Sequence, residues 1–204
     1  KTILVVFMTQ YIMSRTTGKV DPMSEADATT WYHYFSMANY FFPILGAVLS
    51  DILWGKYKTI ITLSIVYVLG HLALAIDESR LGLTIGLTLI AIGAGGIKPC
   101  VSAHVGDQFE EKNKSLLENI FGYFYFSINL GAAVSTLLIP VLLEKYGPHV
   151  AFGVPGFLML MATSITSGLP TANGSSYSSA IRRGYRHRRW AWYPQTARER
   201  YTTL

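Results

Sequence analysis

Apolar residues in this 204-residue chain fall into long blocks, and the charged residues gather between them. Thr30–Ser50, Thr59–Ile76, Leu83–Val105, Asn119–Leu143 and Val150–Ile165 each approach the ~20 apolar residues that carry a helix across ~30 Å of hydrocarbon. A surface helix of a soluble domain would instead show a charged face at helical spacing. The pattern therefore predicts membrane-spanning helices over these five blocks. Lys1–Met13 is apolar as well. It is too short to span alone, lacks the charged start and small-residue cleavage site of a signal peptide, and reads as the outer half of a helix whose start precedes Lys1. The last block stops after about 16 residues, short of a span. The expected fold is all-α and integral to the membrane, with the first and last helices truncated.

Charge alters the picture at one end only. Half of the residues are hydrophobic and the formal net charge is +5. Lys1–Ile165 carries ten Lys/Arg against eleven Asp/Glu, whereas the stretch from Thr166 onward carries seven Arg against one Glu. If the connectors alternate sides, Lys56, Lys58, Lys112, Lys114 and the tail lie opposite Arg15, Lys19, Arg80 and Lys145, and the positive-inside rule makes the first set cytoplasmic. Two parts are expected: a partial transmembrane bundle over 1–165 and a basic tail over 166–204. The tail runs Arg182, Arg183, Arg186, His187, Arg188, Arg189 into Trp190 and Trp192. It admits three readings: a disordered cytoplasmic segment, a basic–aromatic patch for a membrane or nucleic acid, or out-of-frame translation joined to a truncated gene. No nucleic-acid-binding fold accompanies it, so nucleic acid is not an expected partner. Cys100 alone offers neither a disulfide framework nor metal spacing, and no phosphate-binding G-x-x-x-x-G-K-[ST] is present. No cofactor, metal or enzyme chemistry is expected.

Lys98 stands out against the apolar background. It lies inside Leu83–Val105, after Gly93, Gly95 and Gly96 and before Pro99, with no carboxylate until Asp107. Snorkelling toward the cytoplasmic interface is one account of it. The other is function, since an ionisable side chain within a span is costly to keep there. Pro99 removes a backbone hydrogen bond and the glycines admit a neighbouring helix, so the charge sits beside a deformable hinge. On the second block His33, Ser36, Met37 and Tyr40 share one helical face; on the fifth, Tyr125 and Asn129 are neighbours one turn apart. Each has a structural reading as an interfacial or interhelical polar group. Together with Lys98 they supply a cation, an imidazole, phenols and an amide, a set suited to a small zwitterion and a proton.

The connector Gly46-Ala-Val-Leu-Ser-Asp51-Ile-Leu-Trp-Gly55-Lys56-Tyr-Lys58 resembles the signature loop of the major facilitator superfamily. There Asp51 is suited to capping or approaching a helix N-terminus, and Gly55 to a tight turn. Three stretches narrow the resemblance to the proton-dependent oligopeptide transporter family: Gly46 to Gly70; Gly95-Gly-Ile-Lys98-Pro99-Cys-Val-Ser-Ala with Gly106-Asp107-Gln108-Phe109; and Phe124-Tyr125-Phe-Ser-Ile-Asn129-Leu-Gly131. They cover Lys1 to about Ile165. The resemblance implies the N-terminal six-helix bundle of a symporter that carries di- and tripeptides, or in some branches nitrate and other small solutes, with protons across the plasma membrane, the bacterial inner membrane being expected. It implies that Tyr40, Lys98, Tyr125 and Asn129 bind substrate, that Lys98 and His33 handle the proton, and that Gly46, Asp51, Gly55, Lys56, Lys58, Pro99 and Asp107 belong to loop and hinge motifs.

The chain departs from that pattern in several places. The family's Glu-x-x-Glu-Arg motif would precede Lys1, His104 stands where a Phe is usual, and a C-terminal half is missing. Nested inverted repeats of one half cannot alternate access without the other. The expected partners are peptide, protons, the bilayer and that second half. A non-functional truncated product is the competing reading.

Overall fold

The computed structural model of the chain describes residues 3–107, 109 and 115–168, which form helices joined by short connectors. In order these are α1 (Ile3–Gln10), α2 (Glu25–Val48), α3 (Lys56–Ile76), α4 (Arg80–Gly106), α5 (Leu117–Tyr146) and α6 (Pro148–Gly168). A single π-helical turn, Leu49–Leu53, prolongs α2. Five helices, α2 to α6, are long and apolar enough to cross a membrane. The readings of the basic run Arg182–Arg189 and of Lys112 and Lys114 lie outside the described residues.

The sixth helix is longer than its apolar block suggests, at 21 residues. At 1.5 Å per residue it reaches about 31 Å, enough for a span. Two local causes extend it. Gly147, at φ +80°, ends α5 in a conformation that side chains disfavour, and Pro148 then starts α6 where its missing N–H costs nothing. At the other end the hydroxyls of Thr163, Ser164 and Thr166 donate to the carbonyls of Met159, Leu160 and Ala162 at 2.7–2.8 Å, so polar residues continue the helix without leaving donors bare.

Packing is densest between α3 and α4, followed by α2 with α4 and α3 with α6. Glycines set these distances. A Cβ placed on Gly46 of α2 would lie 2.2 Å from the carbonyl oxygen of Gly96 on α4; one on Gly93 would lie 2.7 Å from the Tyr67 backbone nitrogen on α3. In a bilayer, where helices gain little from excluding water, such close backbone approach is a main source of association. α1 plugs one end of the bundle: Leu4, Val5, Phe7 and Met8 are buried with Leu74, Leu83, Leu87, Ile90 and Phe152, and the Phe7 and Phe152 rings meet edge-on at 4.9 Å. In contrast, nearly every residue of α5 is exposed, and its principal neighbour is α6.

The connectors at that end are tied together. Met13 donates its N–H to the Glu78 carbonyl (3.0 Å), joining the α1–α2 loop to the α3–α4 turn, while Asp21 donates to Ile12 (2.8 Å) within the loop and Met23 to Met8 (3.0 Å) of α1. Arg80 pairs with Asp21 at 3.1 Å.

Candidate functional site

Lys98 lies on a face of α4 that neighbouring helices leave open. Leu87, Ala91 and Lys98 recur four and seven residues apart and so share one side of the helix. At Leu87 and Ala91 that side is buried at the level of the α1 core, but at Lys98 it is exposed. No carboxylate among the described residues is within ion-pair distance of the ammonium. Lys98 also sits one turn beyond the α2–α4 crossing, where Gly95 packs on Phe42 and Pro43, and next to Pro99, whose ring cannot donate to the Gly95 carbonyl.

The α2 residues singled out from sequence occupy the helix face turned away from that crossing. Asn39, Phe42, Pro43 and Gly46 meet α4, whereas His33, Met37 and Tyr40 are exposed, Tyr40 to 84%. The Tyr32 ring packs against the core and touches His33 edge-on at 5.7 Å. On α5 Tyr125 and Asn129 are exposed and face the same way; the Asn129 amide donates to the Tyr125 carbonyl at 2.8 Å, leaving its own oxygen available. Among the described residues no hydrogen bond or ion pair links Tyr125 or Asn129 to Lys98, Tyr40 or His33. The structure thus sets Lys98 one turn beyond the α2–α4 crossing, His33 and Tyr40 on the α2 face turned from it, and Tyr125 with Asn129 on an exposed face of α5.

The signature loop folds around the π turn. Ser50 is buried there, and its one hydroxyl proton has two acceptors within reach, the Ala47 carbonyl (2.9 Å) and the Asp51 carboxylate (3.2 Å). Asp51 does not cap α3: the N-cap position belongs to Gly55, at φ +81°, which has no side chain to offer. The positive φ that glycine alone adopts freely carries the chain out of the π turn, and this places Asp51 a turn too early to reach the α3 amides. Lys56, the first residue of α3, instead pairs with Asp107, the C-cap of α4. Lys58 is exposed. His104, where the family pattern has Phe, is half-buried near the end of α4.

Two histidines outside the expected set are committed to contacts between helices. His71 is buried on α3; its Nδ1 meets the Phe152 carbonyl at 2.9 Å and its ring lies 4.6 Å from that of Tyr67. Gly156 of α6 makes room for it, since a Cβ there would approach the His71 Cβ to 2.8 Å. The signal was available: His71 is an ionisable residue inside an apolar block, as Lys98 is. His149, the second residue of α6, contacts the Ala75 carbonyl through Nδ1 and Glu78 through Nε2 at 3.2 Å. Only the folded turn at Asp77–Ser79 reveals that pairing.

The comparison with protein-family models matches residues 57–166 to PTR2, described as the POT family. The chain belongs to the POT family. Among curated proteins it is 49% identical over 154 residues to solute carrier family 15 member 2 of Homo sapiens, covering 68% of this chain and 21% of that protein. It is 40% identical over 180 residues to peptide transporter family 1 of Drosophila melanogaster, covering 81% and 23%. The chain therefore spans about a fifth of the length of the curated relatives it matches. Among solved structures it is similar to the POT family transporter PepTSo, with TM-score 0.73 and 43% identity over 80% of this chain and 32% of that one. It is also similar to a peptide transporter crystallised with alafosfalin, with TM-score 0.73 and 25% identity over 89% and 40%. The fold is that of POT transporter helices, and the chain is a multi-pass membrane protein.

Proposed function

We propose that these helices belong to a symporter that carries di- and tripeptides with protons across the plasma membrane by alternating access. The observation that carries the reading is Lys98: a cation on an open face of α4, beside a proline and a glycine crossing, in a chain whose relatives are named peptide transporters. Lys98 supplies the positive charge for a peptide carboxylate. Tyr40, Tyr125 and Asn129 supply hydrogen-bond donors and acceptors around the peptide backbone, and His33 exchanges the proton together with Lys98. The proton gradient is the energy source and no cofactor takes part.

Gly46, Gly55 and Pro99 are the places where the backbone comes close or bends, and Asp51, Lys56, Lys58 and Asp107 hold the cytoplasmic loops between them. A second set of helices completes the cavity over the exposed faces of α2, α4 and α5, and the bilayer covers the rest. The test is uptake of a labelled dipeptide into proteoliposomes containing the full-length transporter. Accumulation that requires an inward proton gradient supports the reading, and gradient-driven uptake of nitrate with no response to dipeptide overturns it.

A further inference from the structure

We propose that Glu78 and His149 form a proton-binding site at the end of the bundle that α1 plugs, and that the bound proton clasps the α3–α4 turn to the start of α6. His149 Nδ1 is in hydrogen-bond contact with the Ala75 carbonyl in the last turn of α3, and Nε2 lies 3.2 Å from Glu78 Oε1. Both partners are acceptors. A neutral imidazole has one N–H and one lone pair, so it serves one acceptor and turns its lone pair on the other. Both contacts are satisfied together only when one further proton is present, shared between the imidazole and the carboxylate.

The surroundings leave that proton as the charge that balances Glu78, whose side chain is only 12% exposed. Arg80 is engaged by Asp21 at 3.1 Å, and Arg15 lies 3.8 Å from Asp77, whose carboxylate accepts the Ser79 N–H at 3.0 Å. Lys19 of the α1–α2 loop and Glu144, Lys145 and Tyr146 at the end of α5 are exposed; none forms an ion pair with Glu78 or His149. A carboxylate this far out of water is costly when unbalanced. The site needs only these local contacts, so it stands independently of the transport reading.

Imidazole is the side chain whose charge ordinarily changes between about pH 5 and about pH 8. In acid the clasp is closed. In alkali the Nε2 lone pair faces the carboxylate and the turn separates from α6. The full chain in lipid nanodiscs, with buried Cys100 replaced by serine and spin labels at exposed Leu81 and Val150, reads this separation by pulsed electron resonance. The expected result is one short distance at about pH 5.5 and an added longer population at about pH 8.5.

The chain has five histidines, so the assignment rests on Glu78→Gln. Its amide donates to Nε2 without a further proton and keeps the short distance at both pH values. His149→Phe removes both contacts and is expected to show the longer population at both. An unchanged wild-type distance, or a Glu78→Gln variant that keeps the wild-type pH response, overturns the proposal, and because Glu78→Gln is isosteric the outcome does not depend on His149→Phe folding.

Discussion

Lys56 and Asp107 join the start of α3 to the end of α4 across a sequence separation of 51 residues. One begins α3 and the other caps α4, so the pair fixes the end of the most closely packed helix pair. Their side chains are 27% and 23% exposed, so the interaction is partly screened and is expected to contribute about 1 kcal/mol. In a double-mutant cycle of Lys56→Met and Asp107→Asn, unfolding in detergent should give a coupling of that size, and salt at about 1 M should weaken it. Zero coupling would remove the pair from the account of loop packing.

The Gly46–Gly96 crossing makes a sharper prediction. A Cβ at Gly46 would stand 2.2 Å from a backbone oxygen, which cannot move aside as a flexible side chain could, so Gly46→Ala should destabilise the bundle by roughly 1–3 kcal/mol. Gly122 in α5 is the control. Nothing lies within 4 Å of its Cβ position, and Gly122→Ala should stabilise by about 0.5–1 kcal/mol through helix propensity alone. Equal effects at the two sites in chemical unfolding would contradict the packing described.

Much of this was legible from the order of residues. Block hydrophobicity located five spans, and Gly93, Gly95 and Gly96 marked α4 as a helix that neighbours approach closely, because a glycine leaves the room a side chain would fill. The extent of α6 was not legible, since Thr163, Ser164 and Thr166 look polar until their hydroxyls are seen to bond back into the helix. Asp51 failed as a cap for a related reason: the π turn and the φ of +81° at Gly55 shift the register between the two helices, and no periodicity shows that. The Glu78–His149 and Lys56–Asp107 pairs depend on which helix ends lie together, which spacing along one helix does not reveal. Tyr125 and Asn129 share an exposed face of α5, and among the described residues no hydrogen bond or ion pair ties that face to Lys98, Tyr40 or His33.

Asp77 gives the α3–α4 turn a separate dependence on acidity. The Ser79 hydroxyl and backbone N–H hold its carboxyl below the ordinary value, with a smaller contribution from Arg15. A lowered folded-state value means stability that is fully present above the ordinary carboxylate value of about 4 and is lost as the pH falls through the lowered one. Unfolding midpoints of wild type and Asp77→Ala should therefore converge on going from about pH 6 to about pH 3. A gap that widens in acid would mean that the carboxylate opposes the turn.

The last prediction concerns Lys98 in the full-length transporter. An unpaired ammonium within a span costs about 2.5–3.5 kcal/mol on insertion scales, so Lys98 calls for a counter-charge, and the open face of α4 leaves room for one from a carboxylate on another helix or from the peptide's own C-terminus. Lys98→Ala should abolish proton-driven peptide accumulation in proteoliposomes. Some peptide exchange without a gradient should survive, because Tyr40, Tyr125 and Asn129 stay in place. Lys98→Arg restores the charge but should not restore accumulation, since a guanidinium does not release its proton as an ammonium does. Snorkelling predicts the opposite ranking: arginine, with its longer reach, would replace lysine well, and alanine would leave gradient-driven uptake intact. Uptake by the three proteins with and without an imposed pH gradient separates the two accounts, and wild-type accumulation by Lys98→Ala would leave the lysine a membrane-interface residue.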